Sequence, residues 1–397
     1  MHHQVQFPGL SGRTILAVCV LAALAVRLVY ALAVHPLELF PDENRFLCAA
    51  ENILAGAHIG CGKYAHDMPL VPVLLAACKA VGVGEDGYRA LQAVIGALLV
   101  LPVAGLAHRL HASRLSLALA GAAVAVYPFF IFYTALLLSE TLFVFLTALL
   151  FWHFSAPRPG QGWRTGLTAG LAHLTRPTLF YFLPVAAAWQ WLAARWSPRR
   201  LAVAGVVFAL LLAPWVVRNY QVFGQFMATN TGGGQVLWDA NNPWNPTGGV
   251  PPDDSPHNDM VPDELDELER DKWMKREAVE YMVEDPGRTL GIAVNKFRRF
   301  WNLWPNAPQF SQGPYKWAAL ASFGPVLLLA LASLWVLRDR WRTTGLLWLF
   351  FAYYTALHLV AMGSIRYRLP LEPLLIALAA ACLGRLLRRG KPSREAS

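Results

Sequence analysis

The stretch that decides the fold class is RTILAVCVLAALAVRLVYALAVHPLELFPDENRF, from Arg13 to Phe46. Its apolar part approaches the ~20 residues that an α-helix needs to cross hydrocarbon, and two adjacent acids follow it. The whole chain repeats this pattern, because 56% of its 397 residues are hydrophobic and only 15% are charged. The sequence therefore predicts an all-α polytopic membrane protein.

About ten apolar segments are long enough, or nearly so, to be transmembrane helices. They lie at 14–34, 88–107, 115–134, 139–155, 165–175, 177–194, 201–218, 315–337, 343–362 and 369–387. The fifth and sixth meet at Pro177, which forces a break. We expect this pair to form a hairpin whose tip stops below the outer surface.

The connectors between these segments divide by charge. One set carries the basic clusters and, of the 25 acids, only Asp339 and Glu395. The other set contains two long acidic loops, 35–87 and 219–314. Because Lys and Arg stay on the cytoplasmic side, both termini and the basic tail 388–397 are predicted to be cytoplasmic. Basic residues in short clusters between apolar runs, despite a net charge of +9, do not indicate nucleic-acid binding.

The first outer loop contains the adjacent acids Asp42 and Glu43. The residues after them have the spacing of an amphipathic helix at the interface. Asp42 is then either a helix cap beside a solvated Glu43, or a general base directed inward. In the same loop, Cys48 and Cys61 form a disulfide or remain two buried thiols.

Three further charged residues lie near the outer ends of apolar segments. Glu140 either caps a helix or faces a polar cavity, because an ionised group beside lipid is costly. Arg176 falls at the predicted hairpin tip and Arg218 at the end of PWVVR, where each could instead be a snorkelling helix end.

The last outer turn, MGSIRYRLPLEPLL, contains Arg366 and Arg368. Two guanidinium groups on one short turn are suited to a lipid phosphate, because Arg pairs with phosphate oxygens through a planar fork. Contact with lipid headgroups is the simpler alternative.

The large outer loop begins with an aromatic and amide-rich segment, TGGGQVLWDANNPWN, in which no helix start is predicted after the glycines. Trp238, Asn241 and Asn242, with Tyr64 of the first loop, are candidates to bind a sugar or an acceptor, although interfacial Trp also occurs without a ligand. Amphipathic helices are expected up to Trp301, with a break at Asp285-Pro286-Gly287.

An ordered set of motifs runs through almost the whole chain: FPDEN, DMPLVPVLLA, LSETLF, GLTAGLAHLTRPTLFYFLP, PWVVRNYQVFGQF, TGGGQVLWDANNP, VEDPGRTLGIAVNKFRRFW and RYRLPLEPLL. In this order, over about 14–388, they resemble the bacterial membrane glycosyltransferases of the GT-C fold. More narrowly, they resemble family 39, which includes protein O-mannosyltransferases and the lipid A aminoarabinose transferase.

The resemblance implies a single GT-C domain over 1–397 in the bacterial inner membrane, with its active site facing the periplasm. The implied reaction transfers a sugar, with inversion, from a polyprenyl-phosphate donor to a lipid, polysaccharide or protein acceptor. It implies that Asp42 is the general base, with Glu43 beside it and Glu140 as a second acid. Arg176, Arg218, Arg366 and Arg368 are the expected phosphate-binding cations.

One position departs from the family pattern. Many relatives have Lys immediately before the proline of the first outer loop, whereas Met68 precedes Pro69 here, and the nearest alternatives are Lys63 and His66. The resemblance implies transfer without a cofactor or metal, although paired carboxylates could hold a divalent cation. A lipid-sugar flippase or transporter, and a non-catalytic scaffold of the same fold, are the alternative functions.

Overall fold

The structure is a computed structural model that describes residues 11–34, 40–156, 160–252 and 254–389. All regular secondary structure in these ranges is helical. The first nine α-helices are α1 Gly12–Val29, α2 Pro41–Leu54, α3 Leu70–Ala80, α4 Gly84–Leu98, α5 Val100–Leu110, α6 Arg114–Val126, α7 Pro128–Thr134, α8 Glu140–Phe154 and α9 Gly162–Thr175. The others are α10 Leu183–Leu192, α11 Pro198–Phe223, α12 Gly233–Ala240, α13 Glu267–Glu284, α14 Pro286–Phe300, α15 Gly313–Val336, α16 Trp341–Val360, α17 Ile365–Arg368 and α18 Glu372–Arg389.

Within the described ranges, six helical stretches are long and apolar enough to cross a membrane. These are Gly12–Ala33, Gly84–Leu110, Pro198–Phe223, Gly313–Val336, Arg338–Val360 and Ile365–Arg388. The pair α6 and α7, bent by 47°, adds a seventh if it is counted as one span.

Of the ten or so expected spans, six or seven are thus long enough in the described ranges to cross a membrane by length and composition. Helices α8, α9 and α10 have only 15, 14 and 10 residues, which is shorter than a full crossing requires. The predicted break at Pro177 is confirmed, since α9 ends at Thr175 and a 3₁₀ turn, Pro177–Phe182, separates it from α10. Helices α8 and α9 are largely buried against the rest of the protein, whereas α10 buries only Ala186 and Gln190.

The core is organised around the last helix. In the most apolar 18 residues of the stretch that contains α18, 83% are buried inside the protein. The corresponding share is 17% for the stretches that contain α1 and α11 and 22% for α15. Helix α18 packs against α15, α6 and α5, and α9 packs between α8 and α11. Because α1, α11 and α15 leave most of their apolar surface exposed, they are the faces that lipid would cover.

Helix boundaries in the outer loops follow local sequence signals, with one exception. Asp285 caps α14 and Pro286 is its first residue, so the break predicted there is confirmed. The glycine run, by contrast, does start a helix, α12. The reason is a cap from a distant residue, because the Asp271 carboxylate accepts the Gly234 N–H at 2.6 Å.

The two outer loops are joined to each other and braced internally. The carboxylate of Glu267 accepts hydrogen bonds from the backbone N–H groups of Tyr64 and Ala65 and from the Thr231 hydroxyl. Cys48 and Cys61 form a disulfide with a Cα–Cα distance of 5.4 Å, which resolves the two alternatives left by the sequence. The contacts of Glu267 tie the two loops to each other.

Candidate active site

The two adjacent acids have different roles. Glu43 is buried, and its carboxylate accepts the N–H of Phe40 at 3.2 Å and that of Leu137 at 2.8 Å. It therefore ties the start of α2 to the segment before α8. Asp42 is not the cap that one alternative predicted. It faces away from these backbone groups and forms ion pairs with two arginines.

Arg366 lies between two acids from distant parts of the chain. Its Nη2 is 2.8 Å from Oδ2 of Asp42, and its Nε donates to Oε1 of Glu140. Arg176, in extended conformation at the break between α9 and the 3₁₀ turn, donates to the same Glu140 oxygen at 3.1 Å. Four residues predicted separately as candidates are thus brought together.

The network continues to two residues that the sequence analysis did not single out. Arg45 donates to Asp42 at 3.0 Å and to both oxygens of Asp67, at 2.5 and 3.0 Å. Asp42 and Arg45 are three residues apart on α2, a spacing that places them on one helix face. That spacing is the signal that could have identified Arg45.

Three acids and three arginines therefore alternate in the order Arg176, Glu140, Arg366, Asp42, Arg45 and Asp67. Burial by itself raises the pKa of the Asp42 carboxyl, but Arg366 and Arg45 together lower that pKa from 3.8 to about 2. Asp42 is consequently ionised at neutral pH. Burial also lowers the pKa of His66 to about 4, so its imidazole is uncharged at neutral pH.

One small void lies beside Glu140. The void that touches Glu140 has a volume of about 10 Å³, close to what one water molecule needs. Glu140 Oε2 faces no hydrogen-bond partner among the described residues. A much larger cavity, of about 450 Å³, lies at the other end of α8 and touches none of these acids, so size alone does not identify the chemistry.

Two of the predicted cations lie outside the network. Arg368 is fully buried, pairs with Glu372 at 2.8 Å and donates to the carbonyls of Phe300 and Asn302. It is committed to holding the start of α18. Arg218 donates to Asn219 at 2.9 Å, away from Asp42 and Glu140.

The predicted residues of the first loop lie near the network but do not join it. Lys63 donates to Gln235 at 3.2 Å, and the Tyr64 ring packs on His58 with 4.8 Å between centroids. The carbonyl of His66 accepts a bond from Asn230. Of these, Tyr64 is the one with a substantially exposed side chain.

The predicted sugar-binding residues of the large loop are buried, and their polar groups are used internally. The Trp238 indole N–H donates to His257 O at 2.9 Å, and Asn242 donates to the carbonyls of Trp238 and Asp239 in the preceding helix α12. Asn241 accepts from Nζ of Lys296 at 2.7 Å and donates to Val360 O at 3.0 Å. In this arrangement they brace the loop rather than present a binding surface.

Across the described ranges, no group of three or more His, Cys, Asp or Glu side chains could hold a metal ion. Asp42, Asp67 and Glu140 instead each face a guanidinium group. The positive charge that offsets these carboxylates is therefore supplied by the chain itself.

No family model and no curated protein sequence matches this chain. Among solved structures, it is similar to the oligosaccharyltransferase AglB of Archaeoglobus fulgidus in complex with an inhibitory peptide and a dolichol-phosphate. The sequences are 14% identical, the TM-score is 0.58, and the match covers 97% of this chain but 52% of the archaeal one. The structure of the Archaeoglobus fulgidus enzyme with Zn and sulfate gives 15% identity, a TM-score of 0.57 and coverage of 95% and 49%.

ArnT from Cupriavidus metallidurans, bound to undecaprenyl phosphate, is matched at 17% identity and a TM-score of 0.44, over 94% of this chain and 77% of that one. This second likeness is too weak to carry an argument. The chain spans about half the length of the oligosaccharyltransferase that it matches. At these identities the comparison shows the architecture alone, and it confirms the predicted one: the chain has the GT-C fold of membrane glycosyltransferases.

Proposed function

We propose that this protein is an inverting glycosyltransferase that moves a sugar from a polyprenyl-phosphate donor to an acceptor at the outer face of a bacterial inner membrane. The observation that carries the proposal is the position of Arg366 between Asp42 and Glu140. It supports the proposal because Asp42, Glu140 and the arginines, to which we assign the roles of base, second acid and phosphate-binding groups, are in direct contact. The dolichol-phosphate in the similar archaeal enzyme supports a lipid phosphate as donor.

Donor binding requires the network to open. Arginine binds phosphate through the same planar fork with which it binds carboxylate, so a donor phosphate competes with Asp42 and Glu140 for Arg366, Arg176 and Arg45. Arg45 also compensates for the absence of a lysine before Pro69 in the first loop. It provides a cation beside the base where relatives use the lysine that Met68 replaces.

This competition strengthens the base. While Arg366 and Arg45 pair with it, the Asp42 carboxylate has a pKa of about 2 and attracts protons weakly. When the donor phosphate draws these arginines away, the ionised form loses its stabilisation and the pKa of Asp42 rises. Asp42 therefore becomes a better base when the donor is bound.

The reaction then needs one proton transfer and one displacement. The acceptor hydroxyl gives its proton to Asp42 while its oxygen attacks the anomeric carbon from the side opposite the phosphate. The bond from that carbon to the phosphate oxygen breaks, and polyprenyl phosphate leaves. The arginines stabilise the negative charge of its phosphate. In this scheme Glu140 orients Arg366 and Arg176. Its Oε2, which has no partner among the described residues, accepts a hydrogen bond from a sugar hydroxyl.

The test is transfer of radiolabelled sugar from defined polyprenyl-phosphate donors by the purified protein, with and without EDTA. We expect transfer, or slow donor hydrolysis, with the parent and a loss of at least ~100-fold in Asp42→Asn, because the amide cannot accept the proton. Asp86→Asn is the matched control, since that side chain is 75% exposed and pairs with Arg89, which is not a member of the network. If labelled lipid instead crosses liposomes at the same rate in the parent and Asp42→Asn, with no turnover, the protein is a transporter and the proposal fails.

A further inference from the structure

The largest cavity described above is not explained by sugar transfer. It has a volume of about 450 Å³ and opens between the ends of α8, α10, α11 and α16. Helix α8 relates the two regions, because Glu140 begins it and Phe154, which lines the cavity, ends it. At 1.5 Å per residue, these two ends are about 20 Å apart. The cavity therefore faces the membrane surface opposite the proposed active site.

The lining is strongly cationic. It contains Arg195, Arg200 and Arg342 and, among its fourteen residues, no acid. Arg200 is 8% exposed, and its guanidinium group lies 3.3 Å from the centroid of the Trp196 ring. Both of its terminal nitrogens donate to Ala156 O, whereas its Nε has no partner among the described residues.

The other two arginines remain available. Arg195 and Arg342 are exposed and form no ion pair with any acid in the described part of the chain. Arg195 is also the one non-glycine residue in that part with a positive φ, at 57°. A non-glycine residue in this conformation is strained, and such strain is concentrated at binding sites. Here it holds a cation at the cavity.

A buried side chain with an unsatisfied acceptor also lines the cavity. Gln190 is 2% exposed, and its Oε1 has no hydrogen-bond partner among the described residues. A buried carbonyl oxygen without a partner is unfavourable, so it indicates a ligand with a hydroxyl or ammonium donor. A bare anion would not satisfy it.

Two long helices begin here. Ser197 caps α11, and Arg342 and Thr343 lie in the first turn of α16. The positive ends of their helix dipoles add to the attraction for an anion. The remaining wall is apolar, with Phe151, Phe154, Leu346 and Leu347.

We propose that this cavity binds the headgroup of a glycerophospholipid from the leaflet opposite the active site. The phosphodiester lies among the three arginines, a headgroup hydroxyl or ammonium donates to Gln190, and the start of an acyl chain lies on the apolar wall. Phosphatidylglycerol is the best probe, because its phosphate matches the arginines, its headgroup hydroxyls match Gln190 and its acyl chains match the apolar wall. This proposal does not depend on catalysis by Asp42.

The test measures lipid binding to the full chain in detergent by native mass spectrometry and thermal shift. The probes are phosphatidylglycerol, phosphatidylethanolamine, phosphatidylcholine, whose headgroup has no donor, and inorganic phosphate. We expect the first two to bind at least ~10-fold more tightly than the last two. Arg195→Ala/Arg342→Ala should weaken phosphatidylglycerol binding at least ~10-fold, and Gln190→Leu should remove the preference over phosphatidylcholine.

The matched control is Arg338→Ala/Arg340→Ala, which removes the same charge from the same face but lies outside the lining. It should bind phosphatidylglycerol as the parent does. Equal loss in both double variants would show only general attraction to a basic surface, and saturation by inorganic phosphate alone would show a site for free anions. Either result, or no lipid binding by the parent, overturns the proposal, whereas failed sugar transfer does not affect it.

Discussion

Replacing Arg366 by glutamine tests whether the charged network has the energetic role that its geometry indicates. The substitution removes the group that joins Asp42 to Glu140 and keeps a polar side chain of similar length. Glu140 is 1% exposed and retains Arg176, while Asp42 is 28% exposed and retains Arg45. Each acid therefore loses one of its two cations.

The magnitude follows from burial and from the pKa of Asp42. Removing one partner of a buried ion pair costs about 3–5 kcal/mol, and because both acids retain a cation we expect about 3. In the parent, the fall in the pKa of Asp42 from 3.8 to about 2 is worth about 2 kcal/mol in total, and Arg366 contributes the most of the three arginines that cause it, so the variant loses part of this amount. Since the folded-state pKa lies below the unfolded one, this part is present above about pH 4 and is lost as the pH falls towards 2.

The assay is thermal unfolding in detergent, followed by the fluorescence of the 15 tryptophans, at pH 7, 5, 4 and 3. With an unfolding entropy of ~2 cal/mol/K per residue, a loss of 3 kcal/mol lowers the midpoint by about 4 °C. We expect that difference at pH 7 and a smaller one at pH 3. Arg340→Gln is the control, because its partner Asp339 is 50% exposed and surface pairs contribute about 0–1 kcal/mol. A midpoint for Arg366→Gln within about 1 °C of the parent at pH 7, or a difference that does not change with pH, would refute the reasoning.

Three further predictions follow from other groups. In the sugar-transfer assay, the acid limb of kcat should lie at higher pH than that of kcat/KM, because the first reports Asp42 with donor bound and the second reports it paired with arginines; coincident limbs would contradict the competition for Arg366. Burial lowers the pKa of Lys296 from 10.5 to about 7, so the unfolded state binds the extra proton between those values and the stability of the parent should rise from pH 7 to 9. In Lys296→Met this part of the rise should be absent from thermal scans, and an unchanged rise would show that the lysine is solvated. Reducing the Cys48–Cys61 disulfide, whose cysteines are 13 residues apart, should cost about 3 kcal/mol, and a reductant should leave the midpoint of Cys48→Ser/Cys61→Ser unchanged.

The fold class was predictable because the signals for it are local. Apolar runs, the break at Pro177 and the start of α14 at Pro286 are each determined by a few neighbouring residues. The number of spans was not predictable in this way. Helix α8 is as apolar as a membrane helix, yet nearly all of its residues are buried in protein, and hydropathy does not distinguish a protein interior from lipid.

The candidate site was predictable only in part, because its members meet through the fold. Asp42, Glu140, Arg176 and Arg366 were identified singly, from charges at the ends of apolar segments. Their mutual contacts depend on how four distant segments pack.

Helix geometry explains why one of two neighbouring arginines joins the site. Residues two apart on an α-helix point about 200° from each other, so Arg366 and Arg368 on α17 cannot both face Asp42. Similarly, the residue types of Trp238 and Asn241 do not show whether these side chains bind a sugar or brace a loop. Only their observed partners, His257 O and Lys296, separate the two roles.

The central position of α18 has a consequence for the order in which the protein is made. Every other helix described here precedes it along the chain, so α5, α6 and α15 enter the membrane before the helix that packs among them exists. Until then, their inner faces have only lipid, one another or an insertion factor as neighbours. The ion pair between Arg368 and Glu372, four residues apart and with both side chains fully buried, becomes buried only when α18 packs. Biogenesis should therefore pass through a long-lived, incompletely packed intermediate, and a ribosome arrested just before α18 would hold a chain that quality-control proteases can still recognise.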